Sequence, residues 1–212
     1  MLSFLGTVMF IVTFFMHLFK KNAPVVVLYA VQSCIVTLVL FSSSLRSGSY
    51  LLMIVACITF VVKVLVTPAF FLKLIKKHQL MFSVSSYLNG PLTLIVLAIR
   101  TAIPFSRFFE PLSILTAQND QTLFLAVAMM FISVFLIINR KGALSQMIGV
   151  LSLENSIVLF ASAAGLESTA GPQIGILFDI SIWVAIATIF GSMMYKHFGS
   201  LNVSTMNSLI EE

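Results

Sequence analysis

Apolar runs separated by short polar breaks take up nearly the whole chain. Seven of them approach or exceed the ~20 residues that an α-helix needs to cross a bilayer. They are Leu2–Phe19, Val25–Ser42, Leu51–Ile75, Pro91–Phe105, Thr122–Ile138, Ala143–Ala164 and Gln173–Tyr195. In lipid no water is at hand to bond backbone N–H and C=O groups, so each run is predicted to be helical. The fourth is the weakest: it is short, carries Arg100 near its end and has Pro104 beside its end. It is expected to be a tilted span or a partly interfacial segment. The pattern predicts an all-α, polytopic membrane protein of about seven transmembrane helices in one membrane domain. Residues 1–105 supply four helices, residues 122–198 supply three, and residues 199–212 form a polar tail. The stretch from Ser106 to Gln121 holds Pro111, Gln118, Asn119 and Asp120 and is expected to be an ordered outer loop. No inverted repeat of the kind found in many secondary transporters is evident.

Composition sharpens this picture. Of 212 residues, 59% are apolar and 9% are charged, against about 25% charged in a soluble domain. The first run has no basic residue before it and no small-residue cleavage pattern, so it is expected to be retained and not cleaved as a signal peptide. The net charge of +5 comes from lysines and arginines gathered in short connections. No basic stripe interleaved with aromatics is present, which excludes nucleic acid as a partner. Cys34 and Cys57 both lie inside apolar runs, a placement that suits neither a disulfide framework nor a metal site. His17, His78 and His197 sit at run ends beside lysines, where interfacial solvation is expected. No metal or other cofactor is expected.

Charge placement also predicts orientation. With seven spans, Lys20, Lys21, Lys73, Lys76, Lys77, Arg140, Lys141 and Lys196 fall on one side; Arg46, Arg100 and Arg107 fall on the other. Positive charge marks the cytoplasmic side, so the N-terminus is expected outside and the C-terminus in the cytoplasm. Dropping the fourth span would split the basic set between the two faces.

Three charges lie well inside the runs, away from their ends: Lys63, Glu154 and Asp179. An ionisable group at membrane depth costs at least ~2.5–3.5 kcal/mol on insertion scales, and such residues mark ion pathways and proton relays. Thr59 and Thr67 lie four residues to either side of Lys63 and share its helical face. Pro68 has no N–H, so it is expected to free the carbonyl of Val64 and open a polar pocket of one carbonyl, two hydroxyls and the ammonium. Snorkelling does not rescue the lysine: its stem reaches ~6 Å, while the edge of the hydrocarbon core lies ~15 Å away.

In the sixth run Ser145, Gly149, Ser152, Ser156 and Ser162 form a stripe of small residues suited to close helix contact. Glu154 projects from nearly the opposite face, since two residues turn a helix by ~200°. Asn155 beside it can bond a water or a neighbouring helix. A structural salt bridge between Glu154 and Lys63 is the alternative to a relay. Asp179 lies about two turns into the last run with Gly175 and Trp183 on its face, where a hydrated interfacial aspartate is the alternative. Gln32 is expected to bond within the core. A lysine and a glutamate that share a low-dielectric interior titrate as a coupled pair, which lets them take up and pass on protons. No nucleophile–base pair or phosphate loop accompanies them.

The stretches Lys63-Val-Leu-Val-Thr-Pro68, Tyr29-Ala-Val-Gln-Ser33, Gln146-Met-Ile-Gly-Val-Leu-Ser-Leu-Glu-Asn155, Ile174-Gly-Ile-Leu-Phe-Asp179 and Gly199-Ser-Leu-Asn-Val203 resemble component E of hydrogenase-4. The likeness runs over most of the chain and is poorest from Ser83 to Gln121. The last three runs are also similar to the three-helix K subunit of the bacterial NADH–quinone oxidoreductase and to the C subunit of multisubunit sodium/proton antiporters. Relative to the K subunit, Glu154 falls about one turn after the first glutamate, and the second would fall at Ile186. The resemblance implies a non-catalytic subunit in the membrane arm of an energy-converting nickel–iron hydrogenase or formate hydrogenlyase-type complex in a bacterial or archaeal cytoplasmic membrane. Antiporter-like membrane subunits and the lipid bilayer would be its partners. Lys63, Glu154 and Asp179 would then serve a proton or sodium path coupled to electron transfer, with Thr59, Thr67, Pro68, Gln32 and Asn155 in support. The alternatives are a purely structural membrane scaffold, a subunit of a cation/proton antiporter and an independent small-solute carrier.

Overall fold

A computed structural model describes residues 1–77, 86–116 and 120–166, together with Thr188 and Ser192. Helices fill most of these stretches: α1 (Leu2–Leu18), α2 (Asn22–Ser47), α3 (Tyr50–Thr59), a π-helical segment (Phe60–Val66), α4 (Thr67–Lys77), α5 (Gly90–Ala102), two 3₁₀ segments (Ile103–Phe105 and Arg107–Leu115), α6 (Asp120–Asn139) and α7 (Ala143–Ala163). Their ends follow from local chemistry. Gly48 closes α2 in the left-handed conformation at φ 65°, which glycine adopts without a Cβ clash. The Ser49 and Asn89 side chains accept from Leu52 N and Leu92 N and cap α3 and α5.

Among the described residues four helices are long and apolar enough to cross a membrane, or five if the bent pair of the fourth run counts as one span. The shorter α1, at 17 residues, sits at the low end of spanning length. The third predicted run is one continuous helix from Tyr50 to Lys76, with the π turn inside it. The fourth bends by 57° between Gly90–Phe105 and Arg107–Leu115, so the expected outer loop begins as ordered 3₁₀ helix. Of the run Gln173–Tyr195 the described residues include Thr188 and Ser192 alone, and Asp179 lies outside them.

Depth organises the packing. One buried apolar cluster joins Met9 and Val12 of α1, Val36 and Val39 of α2, Leu52 and Val55 of α3, Met129 of α6 and Leu159 of α7. A second joins Met16 of α1, Val25 and Val26 of α2, Phe71 and Ile75 of α4, Leu136 of α6 and Leu144 and Ile148 of α7. On every one of these helices a buried polar residue falls between the two clusters: Thr13, Gln32 and Ser33, Lys63, Ser133, and Ser152 and Asn155. The bundle is therefore two greasy halves with a polar layer between them.

The order of clusters along each helix shows that α1, the Tyr50–Lys76 helix and α6 run one way and α2 and α7 the other. The ends bearing Lys20, Lys21, Lys73, Lys76, Arg140 and Lys141 gather beyond the second cluster. Chain segment 86–88 is tied there too, since Tyr87 N donates to Asn139 O at 2.9 Å and Leu88 N to Asn139 Oδ1 at 2.9 Å. The fourth run thus starts at the basic end, which keeps the basic set together.

Two expectations need correction at that end. His17 is not solvated: it is buried, with its ring stacked on Phe135 at 5.5 Å. Arg140 is not simply a loop charge. Its Nη2 faces the carbonyls of Met16, His17 and Phe19 at 2.9, 3.1 and 2.7 Å, where it satisfies acceptors that the end of α1 leaves open. Burial pulls the guanidinium down from its ordinary value, and the three carbonyls supply its partners.

The small-residue stripe of α7 performs as expected. Ser145, Gly149, Ser152, Ser156 and Ser162 are all buried, and a Cβ placed on Gly149 would sit 2.8 Å from Ile137 Cγ1 and 3.1 Å from Ile137 N. Backbone touches backbone here, so there is no flexible group to yield. Gly149→Ala is expected to destabilise the α6–α7 pair by about 1–3 kcal/mol. The check is a lower thermal midpoint of the detergent-solubilised chain; an unchanged midpoint would show that the contact is loose.

Candidate functional site: a buried Lys–Glu pair on a polar layer

Lys63 owes its position to the proline five residues on. A helix cannot pass Pro68 with its ladder intact, and here the adjustment spreads upstream as a π turn, a form common at functional sites. The Thr67 N–H and hydroxyl both reach the carbonyl of Val62, the hydroxyl at 2.8 Å. This differs from the pocket expected around a freed Val64 carbonyl, because the Thr67 hydroxyl is spent within its own helix. Thr59, Lys63, Thr67 and Pro68 do share one buried face, and Lys63 is fully buried.

The ammonium takes its partners from α7. Lys63 Nζ donates to Asn155 Oδ1 at 2.8 Å and lies 3.5 Å from Glu154 Oε2. Glu154 is less enclosed, its side chain 14% exposed against 0% for the lysine. Consecutive residues on a helix point about 100° apart, so Glu154 and Asn155 approach the ammonium from two sides.

An ammonium has only donors, and that fact sets the direction of each bond behind it. Asn155 must turn Oδ1 to Lys63, which leaves Nδ2 to donate to Ser33 Oγ at 3.0 Å and Gln32 Oε1 at 3.3 Å. Gln32 must then offer Nε2 to Thr13 Oγ1 at 2.9 Å and Ser152 Oγ at 3.0 Å. Thr13 passes its own proton to Met9 O at 2.8 Å, and Ser152 Oγ meets Ser133 Oγ at 3.0 Å. Donation runs one way from the lysine through Asn155 and Gln32 to Thr13 and Ser152, where either hydroxyl of the Ser152–Ser133 contact can be the donor. Bonds aligned in this manner polarise one another in a low-dielectric interior.

The pair can exist as ammonium with carboxylate or as amine with carboxylic acid, with one proton shared in either form. It can therefore hold a proton, exchange it internally, and release it when another charge approaches. The amides behind it orient the lysine and have no proton to lose in the accessible range. Among the described residues no group of three or more His, Cys, Asp or Glu is placed to hold a metal ion.

Of the residues expected at the site, Lys63, Glu154, Asn155 and Gln32 come together; Thr59, Thr67 and Pro68 shape the helix that carries the lysine; Asp179 lies outside the described residues. Thr13, Ser33 and Ser133 were missed, and Ser152 was read only as a small packing residue. One signal points to all four. Each lies near the middle of its apolar run, so the runs placed side by side bring them to one depth.

If Asn155 holds the lysine's charge, its loss must cost more while that charge remains. Asn155→Leu is expected to lower stability by about 3 kcal/mol or more, because a buried ammonium is left short of an acceptor. In the Lys63→Met background the same Asn155→Leu change is expected to cost much less. Thermal or denaturant titration of the parent, both single variants and the double variant in detergent decides it, and an equal cost of Asn155→Leu in the two backgrounds would refute the dependence. Comparison with protein-family models, with curated proteins and with solved structures finds no match for this chain.

Proposed function

We propose that this chain is a non-catalytic membrane-arm subunit of a hydrogenase-4 or formate hydrogenlyase-type complex, in which Lys63 and Glu154 carry a step of ion translocation coupled to electron transfer. The observation that bears the most weight is the fully buried Lys63 Nζ, 3.5 Å from Glu154 Oε2. Both groups are costly at that depth, and a scaffold alone has no need of either. The sequence resemblance supports the choice of complex.

In this reading the chain crosses a bacterial or archaeal cytoplasmic membrane about seven times, with its N-terminus outside and its basic end in the cytoplasm. The clustering of lysines at one end of the bundle supports that orientation. Antiporter-like membrane subunits flank it, and the peripheral arm holds the redox centres. Asp179 continues the path from Glu154 as a third protonatable group.

A structural scaffold is the second reading. One observation favours it: the shortest bond of Lys63, at 2.8 Å, goes to the neutral amide of Asn155.

The two readings part on Glu154→Gln, which keeps shape and removes the titrating group. The relay reading expects the complex to assemble while ion translocation, followed by a pH- or sodium-sensitive dye in inverted membrane vesicles, falls by roughly a hundredfold, as when a positioned proton-transfer group is lost. Undiminished translocation in the assembled variant would remove Glu154 from the path. The scaffold reading expects Lys63→Met with Glu154→Leu to assemble and translocate normally.

A further inference from the structure

A second charge reaches the middle of the bundle on its opposite flank. Arg100 lies on α5 near the end of the fourth run, where an arginine would ordinarily turn outward to the interface. It turns inward instead. Its Nη1 faces the carbonyl of Phe131 at 3.4 Å and its guanidinium lies over the Phe135 ring, 5.4 Å from the centroid. Phe131 and Phe135 flank Ser133, so the guanidinium stands at the depth of the polar layer. Helical side chains lean toward their own N-terminus, and α5 starts at the basic end, so the inward reach follows from the direction of the helix.

The partners present are weak for such a charge. Among the described residues one long bond to a carbonyl and one aromatic face leave most of the five guanidinium donors without a partner. Among the described residues no carboxylate pairs with Arg100, and the carboxylate of the polar layer, Glu154, is committed to Lys63. A second copy of this chain would therefore offer no free carboxylate at this depth from its described residues. A lipid headgroup is also a poor candidate, since it lies ~15 Å from the middle of the hydrocarbon core. Beside Arg100, α5 presents Leu92, Ile95 and Ile99, about half exposed, as an apolar face.

We propose that this α5 face receives a transmembrane helix of a different protein chain that bears an aspartate or glutamate at mid-depth, paired with Arg100. The planar fork of the guanidinium fits a carboxylate through two parallel bonds, and the isoleucines and leucine supply the apolar contact around it. This goes beyond the proposed role of Lys63 and Glu154, resting on it only in that the chain is a subunit of an assembly. The bundle would then present a charged group to a neighbour on the flank opposite the Lys–Glu pair.

The test uses the intact complex in its native membrane with a photo-crosslinking p-benzoylphenylalanine at Ile99, and mass spectrometry of the linked peptide. The expected product is an apolar segment of another chain that contains Asp or Glu. Arg100→Glu is expected to cut the yield by about thirtyfold or more, as for a broken buried charge pair, and exchange of the partner's carboxylate for arginine is expected to restore it. Should Arg100→Glu fail to accumulate, Arg100→Gln, which keeps a donor for the Phe131 carbonyl, is expected to lower the yield in the same direction. Linkage to residues 167–212 of this chain, to a second copy, to lipid alone or to a segment without an acidic residue overturns the proposal, as does a yield indifferent to the charge reversal. Ion translocation by Glu154→Gln is read separately, so a failed crosslink and a failed relay are told apart.

Discussion

A lysine ammonium kept from water is the constraint on which the middle of this bundle depends. The group can only donate, and each donor that faces no acceptor at low dielectric raises the cost of burial. The carboxylate of Glu154 and the amide oxygen of Asn155 meet that demand. Once Asn155 is turned toward the lysine, Gln32 has one permitted orientation, and Thr13 and Ser152 each accept from its Nε2. A single cation thus orders side chains on four other helices or helical faces, reaching Ser133 on α6 at the far end.

The two apolar clusters on either side of that layer make the arrangement selective. Leucine, valine and methionine contacts tolerate a helix that slides by a turn, since any apolar neighbour serves nearly as well. The polar layer does not, because a one-turn slip of α2 would carry Gln32 away from Asn155, Ser152 and Thr13 together. Helix register is therefore held by a few hydrogen bonds at one depth, while the bulk of the attraction comes from packing above and below. The close seat of Gly149 on Ile137 adds a second constraint, on the separation of α6 and α7.

Much of the site is legible in the amino-acid sequence. Lys63 and Glu154 stand out because charge in mid-run is costly, and a contact between them is expected whether they serve as a relay or as a structural salt bridge. Among the described residues the helix boundaries are legible from the runs, with α2 extending a few residues past each predicted end. Other features were not readable from one chain. The lateral order of helices decides that Gln32 meets Asn155, and hydropathy carries no information about which helix stands beside which. Pro68 announced a break but not its form, since a kink and a π turn relieve the same missing donor. Arg140 and Arg100 looked like ordinary terminal charges because a long side chain can turn either way, and only packing decides which.

The clasp of Arg140 on the last carbonyls of α1 has a consequence in time. The residues it joins are separated by as many as 124 positions, and a chain made from its N-terminus produces α1 long before the α6–α7 turn exists. Until that turn is synthesised, the carbonyls of Met16, His17 and Phe19 must be served by water or headgroups at the bilayer surface. The first helix therefore enters its final seat only after the sixth has been threaded, and ribosomes stalled before Arg140 would hold a nascent protein whose opening segment is inserted but still unlatched.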